Sequence, residues 1–298
     1  MDIKQYLESK RLFVEQGLRD LMPGTEGPFA KHIEAMRYSL FAGGKRVRPI
    51  LCLAAAEAVD RSAETARLML PTACALECIH TYSLIHDDLP AMDDDALRRG
   101  KPTNHILFGD GQAVLAGDGL LTWAFELLAD SSRGALGPEQ RLQIIQVIAR
   151  AAGPIGMVGG QSLDLLCENS TVEFSTLQTI HKHKTGALIT AAVVSGALGA
   201  KADDRQIAAL TDYGDQIGLA FQIVDDLLNV TSSAAELGKA VGSDAERGKA
   251  TYPVFFGVEE TRKKAQEAVT RAISCLQIFD DSAAPLRALA EYIFTRSN

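Results

Sequence analysis

Two groups of carboxylates offer the most specific chemistry in this chain. The first reads His86-Asp87-Asp88-Leu89-Pro90-Ala91-Met92-Asp93-Asp94-Asp95, and the second Phe221-Gln222-Ile223-Val224-Asp225-Asp226-Leu227-Leu228-Asn229. Oxygen donors suit a hard cation, and magnesium typically takes one or two carboxylates while leaving positions for water and substrate phosphates. The first group is not an EF-hand loop, because Leu97 and Arg98 stand where oxygen ligands would be needed. In the second, Asp225 and Asn229 are an i, i+4 pair, which puts their oxygens on one helix face within reach of a common ion. Either group alone reads as a solvated acidic patch. Two of them, each near the end of a long apolar helix, point to function, and magnesium implies a phosphorylated substrate. Cations that could grip phosphate are at hand in Lys45, Arg48, Arg98, Arg99, Lys101, Lys184, Lys239 and Lys249.

Two helices must position the aspartates. One is expected from about Pro71 to Asp88 and the other from about Asp204 to Val230. Carboxylates at a helix C-terminus oppose the macrodipole by a few tenths to ~1 kcal/mol each, so a positive partner is expected there. Pro90 cannot continue an undistorted helix, and the chain is expected to leave the helix and loop Asp93 back toward Asp87. Apolar residues recur at helical spacing through most of the rest, for example Ile217, Ala220, Phe221, Val224, Leu227 and Leu228. Strand-like alternation is nearly absent, and Gly/Pro punctuation divides the chain into about ten or more helices. No fixed-period repeat suggests a solenoid. The expected class is all-α, a single large helical bundle over residues 1–298 without a linker.

The chain has 298 residues, 47% hydrophobic and 23% charged, a globular composition. Its longest uncharged run, Thr185 to Ala200, falls short of the roughly 18 to 20 apolar residues that span a bilayer and reads as a packed core helix. The opening Met-Asp-Ile-Lys-Gln has no secretory pattern, so a cytoplasmic protein without membrane insertion is expected. Cys52, Cys74, Cys78, Cys167 and Cys275 lack CxxC spacing and fit reduced core thiols. A net charge of -8 argues against nucleic acid or an anionic membrane as the main partner.

Several motifs, in order over about residues 40 to 255, resemble the trans-isoprenyl diphosphate synthases, specifically the bacterial farnesyl diphosphate synthase type. They are Phe41-Ala42-Gly43-Gly44-Lys45-Arg46-Val47-Arg48-Pro49, the run His80 to His105, Gly159-Gly160-Gln161-Ser162-Leu163-Asp164, Lys184-Thr185-Gly186, Phe221 to Asn229, and Leu237-Gly238-Lys239 through Gly242-Ser243-Asp244 to Lys249-Ala250-Thr251-Tyr252-Pro253. The resemblance implies an isoprenoid synthase bundle with a central active-site cavity and a homodimer. It implies that Asp87, Asp88 and Asp93 hold two magnesium ions against an allylic diphosphate, and that Asp225 and Asp226 hold a third, with manganese as an alternative metal. Arg98, Lys184, Thr185, Gln222, Lys239 and Lys249 would complete that site, and Asp87, Asp88, Asp93, Arg98, Lys184, Asp225 and Lys239 would carry the catalysis. Lys45, Arg48, His80 and Arg99 would hold isopentenyl diphosphate without metal.

The implied reaction ionises dimethylallyl or geranyl diphosphate, lets the isopentenyl double bond attack the allylic cation, and loses a proton. Tyr82 and Ser83 would set chain length. Tyr82, five residues before Asp87 and ~7.5 Å along the axis, is where the family closes its tunnel with a bulky side chain, favouring a fifteen-carbon product. Two departures stand out. Asn229 replaces the usual last aspartate of the second motif, and Ala96 stands where another acidic residue is common. A geranylgeranyl or geranyl diphosphate synthase would share every catalytic feature and differ in tunnel depth. A class I terpene cyclase would not need Lys45, Arg48 and the Arg98-Arg99 pair, and a non-catalytic subunit of a heteromeric synthase would be expected to have lost aspartates.

Overall fold

The apolar periodicity is realised in a computed structural model that describes residues 1–133, 136–231 and 250–295. Among the described residues there are thirteen α-helices: α1 (Ile3–Leu21), α2 (Ala30–Leu40), α3 (Val47–Val59), α4 (Ala63–Asp87), α5 (Asn104–Phe108), α6 (Asp110–Ala129), α7 (Pro138–Ala152), α8 (Met157–Leu166), α9 (Phe174–His181), α10 (Ala187–Gly199), α11 (Asp204–Thr231), α12 (Tyr252–Cys275) and α13 (Ala284–Thr295). The all-α expectation holds.

The uncharged run becomes α10, and a helix apolar all round can only be satisfied by burial on every side. One face, with Leu188, Ala191 and Ala192, packs into an apolar cluster shared with α4 and α6, and the other, with Ile189, Val193 and Ala197, into a cluster built on α11, α12 and α13. Helix α3 divides in the same way, with Cys52, Leu53 and Ala56 on one side and Ile50, Leu51 and Ala54 on the other. A Cβ on Gly196 would lie 2.1 Å from the Cys52 carbonyl oxygen, so a glycine is what lets these two helices touch.

Helix α4 starts earlier than the sequence suggests. Pro71 lies inside it, and the start is set eight residues upstream, where the Asp60 carboxylate accepts from the Ser62 amide and the Thr65 hydroxyl. A proline removes one backbone donor from the ladder, and burial of the helix on either side of it, from Met69 to Cys78, holds the helix continuous. By length and hydropathy α4 could cross a membrane, but 67% of its apolar window is buried within the bundle, as in a core helix. The stretch Pro138–Leu166 passes the same criterion, yet it is broken at residues 153–156 into α7 and α8.

One element was not legible in the sequence. Leu97–Arg98 and Lys101–Pro102 form a two-stranded antiparallel hairpin, β1 and β2, pairing Leu97 with Pro102 and Arg98 with Lys101. Its turn residues Arg99 and Gly100 both have positive φ, 54° and 73°, the twist that short hairpins favour. The cysteines are all free; Cys52, Cys74 and Cys78 are buried and Cys167 and Cys275 partly so.

The loop before α3 is held from beneath. Arg46, at φ 51°, is buried and donates from Nη1 to Glu77 Oε1 (2.6 Å) and from Nη2 to the Leu40 carbonyl (2.7 Å). Removing Glu77 leaves the buried Arg46 only the more distant Glu15, 3.8 Å from its Nε, at a cost of up to about 3–5 kcal/mol. Glu77→Leu should therefore lower the free energy of unfolding by that amount in urea denaturation, and adding Arg46→Met should restore part of it. A single variant as stable as the parent would count against the anchor.

Candidate active site

The chain leaves α4 and folds back on itself. The Asp93 amide donates to the Asp87 carbonyl (2.8 Å) and the Asp94 amide to the Leu89 carbonyl (3.1 Å), with Asp94 in the left-handed region at φ 51°. The tight turn around Pro90 thus brings Asp93 beside Asp87, as expected. Both line a cavity of about 1130 Å³, which Asp225 and Asp226 line from α11. Burial pushes the Asp87 carboxyl up to about 6; Lys184 and Arg98 oppose the shift, and Asp93 and Asp88 add to it. A buried carboxylate crowded by others is a place that a cation would stabilise. Among the described residues no three His, Cys, Asp or Glu side chains converge closely enough to enclose a metal by themselves.

The aspartates within each group have different work. Asp88 does not line the cavity; both its oxygens accept from Arg98 Nε at 2.8 Å, and it is 3% exposed. The residue that the resemblance placed among the metal ligands is here the counterion that orients Arg98, which does line the cavity. Asp225 is exposed, whereas Asp226 is buried and accepts from the Tyr252 amide (2.8 Å), tying α11 to the positive N-terminal end of α12. His181 stacks on the Tyr252 ring at 5.6 Å and 16°, with Nε2 3.7 Å from Asp226. Asp226 is therefore first a structural carboxylate, since one of its oxygens is committed to the backbone.

Lys184 and Thr185 lie on a π-helical turn, Lys182–Gly186, inserted between α9 and α10. Such turns are rare and concentrate at functional sites because they re-aim side chains. A Cβ on Gly160 would lie 2.2 Å from the Lys184 nitrogen, so α8 can press against this turn only at a glycine. Asp164 then reaches Lys184 Nζ at 2.7 Å. Lys184, Thr185, Gln222, Arg98, Arg48, His80, Tyr82 and Ser83 all line the cavity.

Four arginines gather around His80. Burial, and then the charges of Arg48, Arg99, Arg98 and Arg46, hold the His80 imidazole well below its ordinary range, so it is neutral at neutral pH. Burial lowers Arg48 to about 10, with Glu77 opposing. Arg99 donates to the Gly43 carbonyl, and its guanidinium fills the space over Gly44, where a Cβ would lie 2.6 Å away. Lys45 is not brought to this cluster. It is exposed and lines a separate groove with Lys4, Leu7, Phe221 and Tyr292, because the left-handed Arg46 turns the chain between Lys45 and Arg48. Lys239 and Lys249 lie outside the described residues. Asn229 does not line the cavity, whereas Ala96 does.

Carboxylates from two helices thus line one cavity together with lysine and arginine, an arrangement suited to a cation-assisted anion site. The family profile described as polyprenyl synthetase matches residues 30–285. The chain belongs to the polyprenyl synthetase family. It is 48% identical to a geranylgeranyl diphosphate synthase of Cyanophora paradoxa, over 98% of this chain and 96% of that one. It is 44% identical to a farnesyl diphosphate synthase of Geobacillus stearothermophilus, over 100% and 99%. The solved structure of an FPP/GFPP synthase from Zymomonas mobilis superposes with a TM-score of 0.86 at 40% identity, covering 98% of this chain and 99% of that one. The chain is thus a trans-prenyl diphosphate synthase with the all-α fold of its solved relatives.

Reading the sequence missed three contributors to this synthase's cavity. Asp164 and Gln161 stood inside a quoted motif without a role, and His181, three residues before Lys184, could have been found by projecting the helix one turn back from the lysine.

Proposed function

We propose that this synthase condenses isopentenyl diphosphate with dimethylallyl and then geranyl diphosphate, giving farnesyl diphosphate, in a magnesium-dependent reaction. The observation that carries the product length is Tyr82. It lines the cavity and is 5% exposed, whereas Cys78, one turn deeper on α4, is fully buried and does not line it. A phenol ring at that level ends the space available to a growing chain.

In this reading Asp87, Asp93 and Asp225 hold magnesium together with the allylic diphosphate. Bound there, the metal supplies positive charge to the departing diphosphate. Lys184 and Arg98 add fixed cations on the same side, one held by Asp164 and the other by Asp88, so little reorganisation is needed as charge develops. Thr185 and Gln222, which line the same cavity, complete the allylic diphosphate site. Arg48, His80 and Arg99 hold the second diphosphate and orient the isopentenyl double bond. The released diphosphate is the base for the final proton, as the resemblance implies. A cytoplasmic homodimer accompanies this reading.

Product chromatography from isopentenyl diphosphate with dimethylallyl or geranyl diphosphate, with and without chelator, tests it. A fifteen-carbon product that disappears with chelator is expected. A twenty-carbon product would favour the geranylgeranyl reading, which the name of the Cyanophora relative also supports. No product from the purified chain would favour a subunit role.

The second motif supplies a further expectation. Asn229→Asp adds a negative charge one helical turn from Asp225. At about 6 Å in water a unit charge and a divalent ion interact by ~1.4 kcal/mol, enough for roughly a tenfold lower magnesium concentration at half-maximal activity. An unshifted titration would remove position 229 from the metal site.

A further inference from the structure

Tyr82 does not stand alone in the cavity floor. One turn later on α4, His86 also lines the cavity, and its ring meets the Tyr82 ring edge to face at 5.7 Å and 79°. The imidazole is gripped from the other side by α6. Its Nε2 lies 3.0 Å from the Val114 carbonyl, to which it donates, and 3.9 Å from an Asp118 carboxylate oxygen. Gly117 makes room for it: a Cβ there would fall 2.1 Å from Nε2 and 2.4 Å from Cδ2. Helix α6 therefore gives up a side chain at the one place where the imidazole enters, and its backbone fixes the ring that supports Tyr82.

We propose that His86 is a positioning residue for product length, a wedge between α4 and α6 that holds the Tyr82 ring across the floor of the prenyl cavity. This rests on the reading of Tyr82 as that floor. An unsupported phenol can rotate about χ1 and χ2 into space vacated beside it, whereas one braced by an imidazole held to a helix backbone cannot. The sign of the effect then depends on which side of the wedge is changed. His86→Ala opens space between α4 and α6, lets Tyr82 turn away and deepens the cavity. Gly117→Ala puts a methyl where the imidazole sits and drives the ring toward Tyr82 and the cavity, making it shallower. Alanine is the better helix former at position 117, so the second variant does not weaken α6 intrinsically.

The experiment compares product distributions of the wild type and both variants with isopentenyl and dimethylallyl diphosphates, alongside their thermal midpoints. His86→Ala should raise the ratio of the next longer product to the wild-type product by about tenfold or more, the scale on which an apolar pocket discriminates small hydrocarbon increments. Gly117→Ala should shift products toward the ten-carbon intermediate. Unchanged distributions, or shifts in the same direction, would overturn the proposal, and if His86→Ala does not fold, Gly117→Ala decides. A wild type that makes a twenty-carbon product would overturn the farnesyl reading separately, because both shifts are measured relative to whatever the wild type makes.

Discussion

Asp87→Asn is expected to lower kcat by about 10²–10³, the loss typical of removing one preorganised stabiliser of developing charge. The substitution keeps shape and hydrogen-bonding reach but deletes the negative charge where α4 ends and Asp93 folds back. The magnesium requirement should rise in parallel. Stability should move the other way. Burial, with Asp93 and Asp88 nearby, raises the Asp87 carboxyl to about 6 even though Lys184 and Arg98 oppose the shift, so the metal-free fold pays for its ionisation once the pH exceeds that value. A carboxyl raised in the folded state favours folding fully only below its ordinary value of about 4 and loses that contribution as pH rises through about 6. Metal-free Asp87→Asn should therefore melt above the wild type at pH 8, with the difference vanishing near pH 4. A kcat reduced by less than about tenfold, or a variant that melts lower at pH 8, would remove Asp87 from the central role given to it here.

The second large effect concerns what is made rather than how fast. Tyr82→Ala removes the phenol that lines the cavity, and products at least five carbons longer than those of the wild type should become the main species. A large-to-small change in a core costs ~3–5 kcal/mol when a cavity remains, but this side chain borders space that the longer chain refills, so activity should persist. The buried residues one turn deeper, Cys78 and Ile79, then set how far the chain can extend. Gas chromatography of the dephosphorylated alcohols reads this directly, and an unchanged profile would mean that another element limits the cavity.

Much of the framework could be read from residues in order. The uncharged run became α10, the break at Pro90 returned Asp93 to Asp87, and the expected helix ending at Val230 runs from Asp204 to Thr231. Those features depend on local chemistry: apolar periodicity, a missing proline donor and a short turn. The start of α4 was misplaced because Pro71 is tolerated by packing on both sides of it, which no local rule contains. The hairpin at Leu97–Pro102 escaped notice because two-residue strands carry no periodicity, although it is what sends Arg98 to Asp88 and Arg99 to the Gly43 loop.

By itself the sequence determined which atoms could do chemistry here: two carboxylate groups, the cations that answer them, and motifs specific enough to name a family. Tertiary structure decided the division of labour among them. Adjacent residues on a helix point about 100° apart, so Asp87 meets the cavity while Asp88 meets Arg98, and Asp225 is exposed while Asp226 meets the Tyr252 amide. Lys45 and Arg48 likewise share a motif but end in different places, separated by the left-handed turn at Arg46. The physical reason is common to all three. A residue type fixes what a side chain can bond, but its partner is chosen by elements distant in sequence, and only their packing brings that partner within reach.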